Sequence, residues 1–164
     1  MSSHSDEKPL ASQLPVGETW IVVASQSQAR FFRYLGLQSG LKLVEKIQHP
    51  EGRLKDVELG ADRHGRSFSS FGHAGRSAYT DERSPHEEKA WEFARNLAAR
   101  LRAAHGRNEF SSLMLVAEAR FLGILKACLD EQTRKVLVAT LDREYHQKSS
   151  SELSRRLEDY LVSA

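Results

Sequence analysis

Between residues 50 and 83, guanidinium groups and aromatic rings interleave. Arg63, Arg66 and Arg76 stand among Phe68, Phe71 and Tyr79, and Arg83 closes the stretch. Guanidiniums pair with phosphates and flat rings stack on bases, so the composition suits a surface that touches RNA without cutting it. If these four arginines each neutralised one phosphate, the log–log salt slope for single strands would be about −3, a loss of roughly 60-fold between about 50 and 200 mM salt. Glu51, Asp56, Glu58, Asp62, Asp81 and Glu82 share the stretch. It therefore also reads as an acid-balanced, solvated loop whose rings pack back on the scaffold. The candidate binding set is Arg63, His64, Gly65, Arg66, Gly75, Arg76 and Arg83. A protein partner and an RNA or ribosomal partner are both open.

Other residue types invite other chemistry. A two-metal nuclease needs several carboxylates converging on strand ends, where the ions activate water and stabilise the leaving oxygen. Glu118, Glu87, Glu88 and Glu92 are the acids near such ends, but Ser25, not an acid, closes the first apolar run. Glutamates at a helix start are explained more simply by its positive terminus. His49, His64, His73 and His86 are irregularly spaced with no cysteine beside them, unlike the four close ligands of a structural zinc site. Cys128, the one cysteine, sits at helical spacing beside Leu125 and Leu129 and reads as a small buried hydrophobe. Trp20 and Trp91 read as core anchors. The expectation is a non-enzyme with no catalytic residue, metal or cofactor.

Regular elements must hold the charged stretch in place. Thr19-Trp20-Ile21-Val22-Val23-Ala24 is uncharged and rich in β-branched and aromatic residues, as a strand buried on both faces requires. After a short turn, residues 29–35 form a second strand and residues 41–47 a third, giving an antiparallel meander. Ser84-Pro85-His86-Glu87 starts a helix with a capping hydroxyl, a proline at the first helical position and a capping-box glutamate. Its apolar face is Trp91, Ala94, Ala98 and Leu101, flanked by Phe93 and Leu97, and Gly106 is expected to end it. Residues 112–117 and 136–141 form two further strands, separated by a short helix around Phe121 and Leu125. A second capping box, Ser149 to Glu152, opens a last helix along Leu153, Leu157 and Leu161. The order predicts an α/β fold: a mixed five-stranded sheet with three strands in a meander, then βαβα with parallel crossovers.

The chain has 164 residues, 24 basic and 22 acidic, for a formal charge of +2, and 40% of its residues are hydrophobic. That excludes a wholly disordered chain and a histone-like polycation, so any nucleic-acid role depends on local clustering. Residues 1–17 carry no period and read as a disordered tail. Residues 18–164 read as one domain with a long loop at 50–83. No apolar run approaches membrane-spanning length, and Asp6, Glu7 and Pro9 stand where a signal peptide would be apolar. A reducing cytoplasm is the expected location.

Three stretches resemble the bacterial host-attachment family, proteins described as required for attachment to host cells. They are Trp20-Ile21-Val22-Val23-Ala24 with Ala29-Arg30-Phe31-Phe32, then Ala61-Asp62-Arg63-His64-Gly65-Arg66 leading to Phe93-Ala94, then Leu115 through Gly123. Ser25 stands where family members often have Asp, and Ala119 where they often have Pro. The resemblance implies a ribonuclease H-like sheet, related to the middle domain of eukaryotic and archaeal peptide-chain release factors. Those domains carry a Gly-Gly-Gln tip in the corresponding loop. Here the matching place reads His73-Ala74-Gly75-Arg76, with no glutamine from Gly52 to Pro85. The expected role is a cytoplasmic binding module of this family. The alternative is a release-factor-like, ribosome-associated hydrolase.

Overall fold

Two uncharged six-residue runs, TWIVVA and SLMLVA, form strands in which every residue is buried. Such strands need cover on both faces, and the rest of the chain supplies it. The computed structural model describes residues 8–49 and 83–164. Within them are β1 (Thr19–Ala24), β2 (Gln28–Tyr34), β3 (Leu41–Gln48), α1 (Pro85–Gly106), β4 (Ser112–Ala117), α2 (Ala119–Cys128), α3 (Glu131–Lys135), β5 (Leu137–Asp142) and α4 (Ser150–Ser163). The strands form one mixed sheet in the order β3-β2-β1-β4-β5. β1 is antiparallel to β2, and β2 to β3, while β4 runs parallel to both β1 and β5. This is the expected α/β arrangement of a meander continued by parallel strands.

Alternation along β1 and β4 sends side chains to opposite faces. Trp20, Val22, Leu113 and Leu115 meet α1 and α2 through Phe93, Leu97, Leu101, Phe121 and Leu125. Ile21, Val23, Met114 and Val116 meet α4 through Leu153, Leu157 and Leu161. Both edge strands carry a bulge. Phe31 and Phe32 pair with Glu45 and Leu43, leaving Val44 as the extra residue on β3. Leu113 and Met114 pair with Leu137 and Ala139, leaving Val138 extra on β5.

Several details differ from the sequence reading. Order begins before residue 18: Leu10–Gln13 is a 3-10 turn, Leu14 is buried, and Thr19 Oγ1 donates to the Pro15 carbonyl at 2.8 Å. Leu10, Ala11 and Leu14 help α4 cover its face, but one turn is too short to show a period. α1 ends at Gly106 as expected, but the left-handed residue of its ending is Asn108, at φ 61°. The Asn108 and Glu109 amides donate to the His105 and Ala104 carbonyls, the two bonds of a Schellman ending. Asparagine tolerates that conformation better than other non-glycine residues do. Ser84 Oγ accepts from the Glu87 amide at 3.0 Å, the hydroxyl half of the capping box. The Glu87 carboxylate turns instead to Arg120.

Candidate functional site

At the end of the sheet where β1, β4 and β5 finish, the described chain stops after His49 and resumes at Arg83. Both flanks rest on α1. The His49 amide donates to the Ser27 carbonyl at 2.7 Å, and its ring lies 4.8 Å from Phe93. The Arg83 guanidinium lies 4.2 Å from the centre of the Trp91 ring and 3.1 Å from Glu88. A half-exposed ion pair and a cation–π contact contribute on the order of 1 kcal/mol together, enough to bias a side chain but not to fix a fold. Trp91 is half-buried: it packs against the α1-side core, as its spacing predicts, and offers a face to Arg83; the fully buried tryptophan is Trp20.

Arg83 is the one member of the candidate binding set within the described residues. Arg63, His64, Gly65, Arg66, Gly75 and Arg76 lie outside them, as do His73 and the aromatic residues Phe68, Phe71 and Tyr79. Arg83 is already engaged by Glu88 and Trp91, so it is less available to a phosphate than its sequence neighbours suggest.

The acids that a nuclease would use all have structural partners. Glu118 Oε1 accepts from the Phe121 amide at 2.7 Å and caps α2. Glu87 Oε1 lies 3.0 Å from Arg120, tying the starts of α1 and α2 together. Glu88 bridges Arg83 and Arg95, and Glu92 meets Lys89 at 3.2 Å. Among the described residues, no three His, Cys, Asp or Glu side chains are grouped to hold a metal ion. Ser25 turns its hydroxyl onto the β1–β2 turn, accepting from the Ser27 and Gln28 amides at 3.1 and 3.3 Å. Cys128 is half-buried, and burial pushes its thiol above the ordinary value, partly offset by Arg95 and Arg83.

A second set of contacts joins residues far apart in the sequence. The connection after β5 is strapped to β2: Gln28 Nε2 donates to the His146 carbonyl at 2.7 Å. Arg30 Nη2 reaches the carbonyls of Tyr145 and His146 at 3.3 and 3.1 Å. Burial lowers the Arg30 guanidinium below its ordinary value. Burial also pulls the His146 imidazole down; Glu144 opposes this and Arg30 adds to it. The only sequence signal was the polar character of Gln28 and Arg30 at the start of a strand.

No helix of the described residues is long and apolar enough to cross a membrane. A family model described as "Protein required for attachment to host cells" matches residues 20–157. No curated protein matches the chain. One solved structure, named only as an archaeal protein, is similar at 10% identity and a TM-score of 0.43, over 90% of this chain and 38% of that one. The crystal structure of the archaeal translation termination factor aRF1 is similar at 9% identity and a TM-score of 0.47, over 93% of this chain and 37% of that one. The chain thus spans well under half the length of both.

Proposed function

The chain belongs to the family of proteins required for attachment to host cells, and from that premise we propose that it acts there as a cytoplasmic, non-enzymatic binding module. Its contact with a protein or RNA partner runs through the arginine-rich segment 50–83. The observation that carries this reading is the docking of both flanks, His49 on Phe93 and Arg83 on Trp91, against the same stretch of α1. The two flanks thus leave from neighbouring rings of one helix, which gives a partner of the segment a defined place on the scaffold to approach. The engagement of Glu87, Glu88, Glu92 and Glu118 in caps and ion pairs further supports binding over hydrolysis.

The test is recovery of partners from lysate on the immobilised full chain, with protein and RNA identified separately. Wild type is compared with an Arg63→Ala, Arg66→Ala, Arg76→Ala variant, which should lose the partner. With Arg83 held by Glu88, three cations remain for phosphates, so an RNA partner should show a salt slope of about −2, or roughly 20-fold between about 50 and 200 mM. Equal recovery by the triple variant, or turnover of model esters or oligonucleotides abolished by it, would overturn the reading.

A further inference from the structure

Beside the Arg83 platform, a groove of about 400 Å³ runs between α1 and the end of α2. Its α1 wall is Trp91, Arg95, Ala98 and Arg102, and its other wall includes Ala127 and Cys128. The α1 positions are spaced by four, three and four residues, so they form a straight stripe down three turns of helix. The floor is apolar and shallow, because Ala98, Ala99 and Ala127 end at a methyl group. Floors of this kind let a second helix approach to about 8–10 Å between axes.

The rim is basic. Arg95 is half-exposed and meets Glu88 only at 3.4 Å, and Arg102 is exposed. Arg134 Nη2 donates to the Lys126 and Ala127 carbonyls, which adds positive charge at the end of α2. Asp130 is the one acid in the lining, and its carboxylate accepts from the Thr133 hydroxyl. Arg95 and Arg102 are seven residues apart, a rise of about 10 Å. Two carboxylates seven residues apart on an approaching helix repeat that spacing.

We propose that this groove docks an acidic amphipathic helix of a partner protein, its apolar stripe on Trp91, Ala98 and Ala127 and its carboxylates on Arg95 and Arg102. The mode is helix-in-groove recognition with charges setting register. A nucleic-acid strand fits less well, since phosphodiesters have nothing to bury against alanine methyl groups and Arg83 already covers a face of Trp91. The inference uses described residues of the scaffold alone and stands whether or not segment 50–83 has a partner of its own.

The experiment uses the full chain and a fluorescein-labelled peptide of about 14 residues, with a Leu/Ala stripe and two Glu seven positions apart, read by anisotropy. A matched peptide carries Lys in place of both Glu. Cys128 is the single cysteine, so its alkylation by iodoacetamide reports groove occupancy directly. The Glu peptide should bind saturably, and at about ten times its Kd it should slow alkylation by roughly tenfold. An Arg95→Glu, Arg102→Glu variant, altered only at exposed positions, should bind the Glu peptide about tenfold or more weakly and prefer the Lys peptide. Binding without protection of Cys128, equal binding of both peptides by both proteins, or no binding in any of the four pairings would each overturn the proposal.

Discussion

On the α1 side of the sheet, ring contacts run through a core that is otherwise aliphatic. Trp20 lies 5.9 Å from Phe31 and 5.0 Å from Phe110, and Phe93 lies 6.2 Å from Phe121. On the α4 side Leu153, Leu157 and Leu161 pack on Ile21, Val23 and Met114, and Phe32 and Tyr34 are the buried rings. Rings have few torsions and directional contacts, so they fix neighbouring groups more closely than aliphatic chains do. Both flanks of segment 50–82 lean on rings of the α1 side, His49 on Phe93 and Arg83 on Trp91. The contrast teaches that the α1 side seats both flanks of that segment, while the α4 side holds the connection after β5.

Core truncation gives the largest test of that contrast. Phe93→Ala should cost about 3–5 kcal/mol in urea unfolding and Leu157→Ala about 2–5. Only Phe93→Ala should also weaken partner recovery when both proteins are compared fully folded, because His49 loses the ring it rests on. Equal loss of recovery in both variants would break the contrast.

Helix caps sharpen it at smaller scale. Ser84→Ala and Ser149→Ala each remove a hydroxyl that accepts from an amide at 3.0 or 3.2 Å, and each should cost about 1 kcal/mol. Ser84 adjoins Arg83, so its variant alone should also reduce recovery. If both caps affected recovery alike, the start of α1 would have no special place.

The legible parts of the fold were those with local chemistry. β1 and β4 announce themselves as uncharged runs, and α1 and α4 begin just after Ser84 and Ser149, whose hydroxyls cap them while the glutamates of both expected capping boxes turn to basic side chains. What escaped was either too short for a period, such as α3 and the 3-10 turn, or dependent on distant partners. The carbonyl that receives Arg30 lies 116 residues away, and no window along the chain contains both. Of the candidate site, the sequence gives the residue types, while only the structure shows that Arg83 spends its charge on Glu88.

The smallest predicted effect concerns the strap on the far side of β2. His146 is held below its ordinary value by burial, so the unfolded chain takes up its proton first as pH falls. Its contribution to stability is therefore whole above about pH 6.5 and declines as pH drops through the lower folded value. Urea midpoints at pH 7.5 and 5.5 should differ more for wild type than for His146→Gln. Identical differences would remove His146 from the account.

The two bulged valines, Val44 at 37% exposure and Val138 at 45%, have a consequence for crowded conditions. Each breaks the even spacing of amides along an outer border of the sheet, and regular spacing is what an incoming strand must copy. Both borders are thus poor templates for fibril growth, and on β3 the charges of Lys42, Glu45 and Lys46 add to the effect.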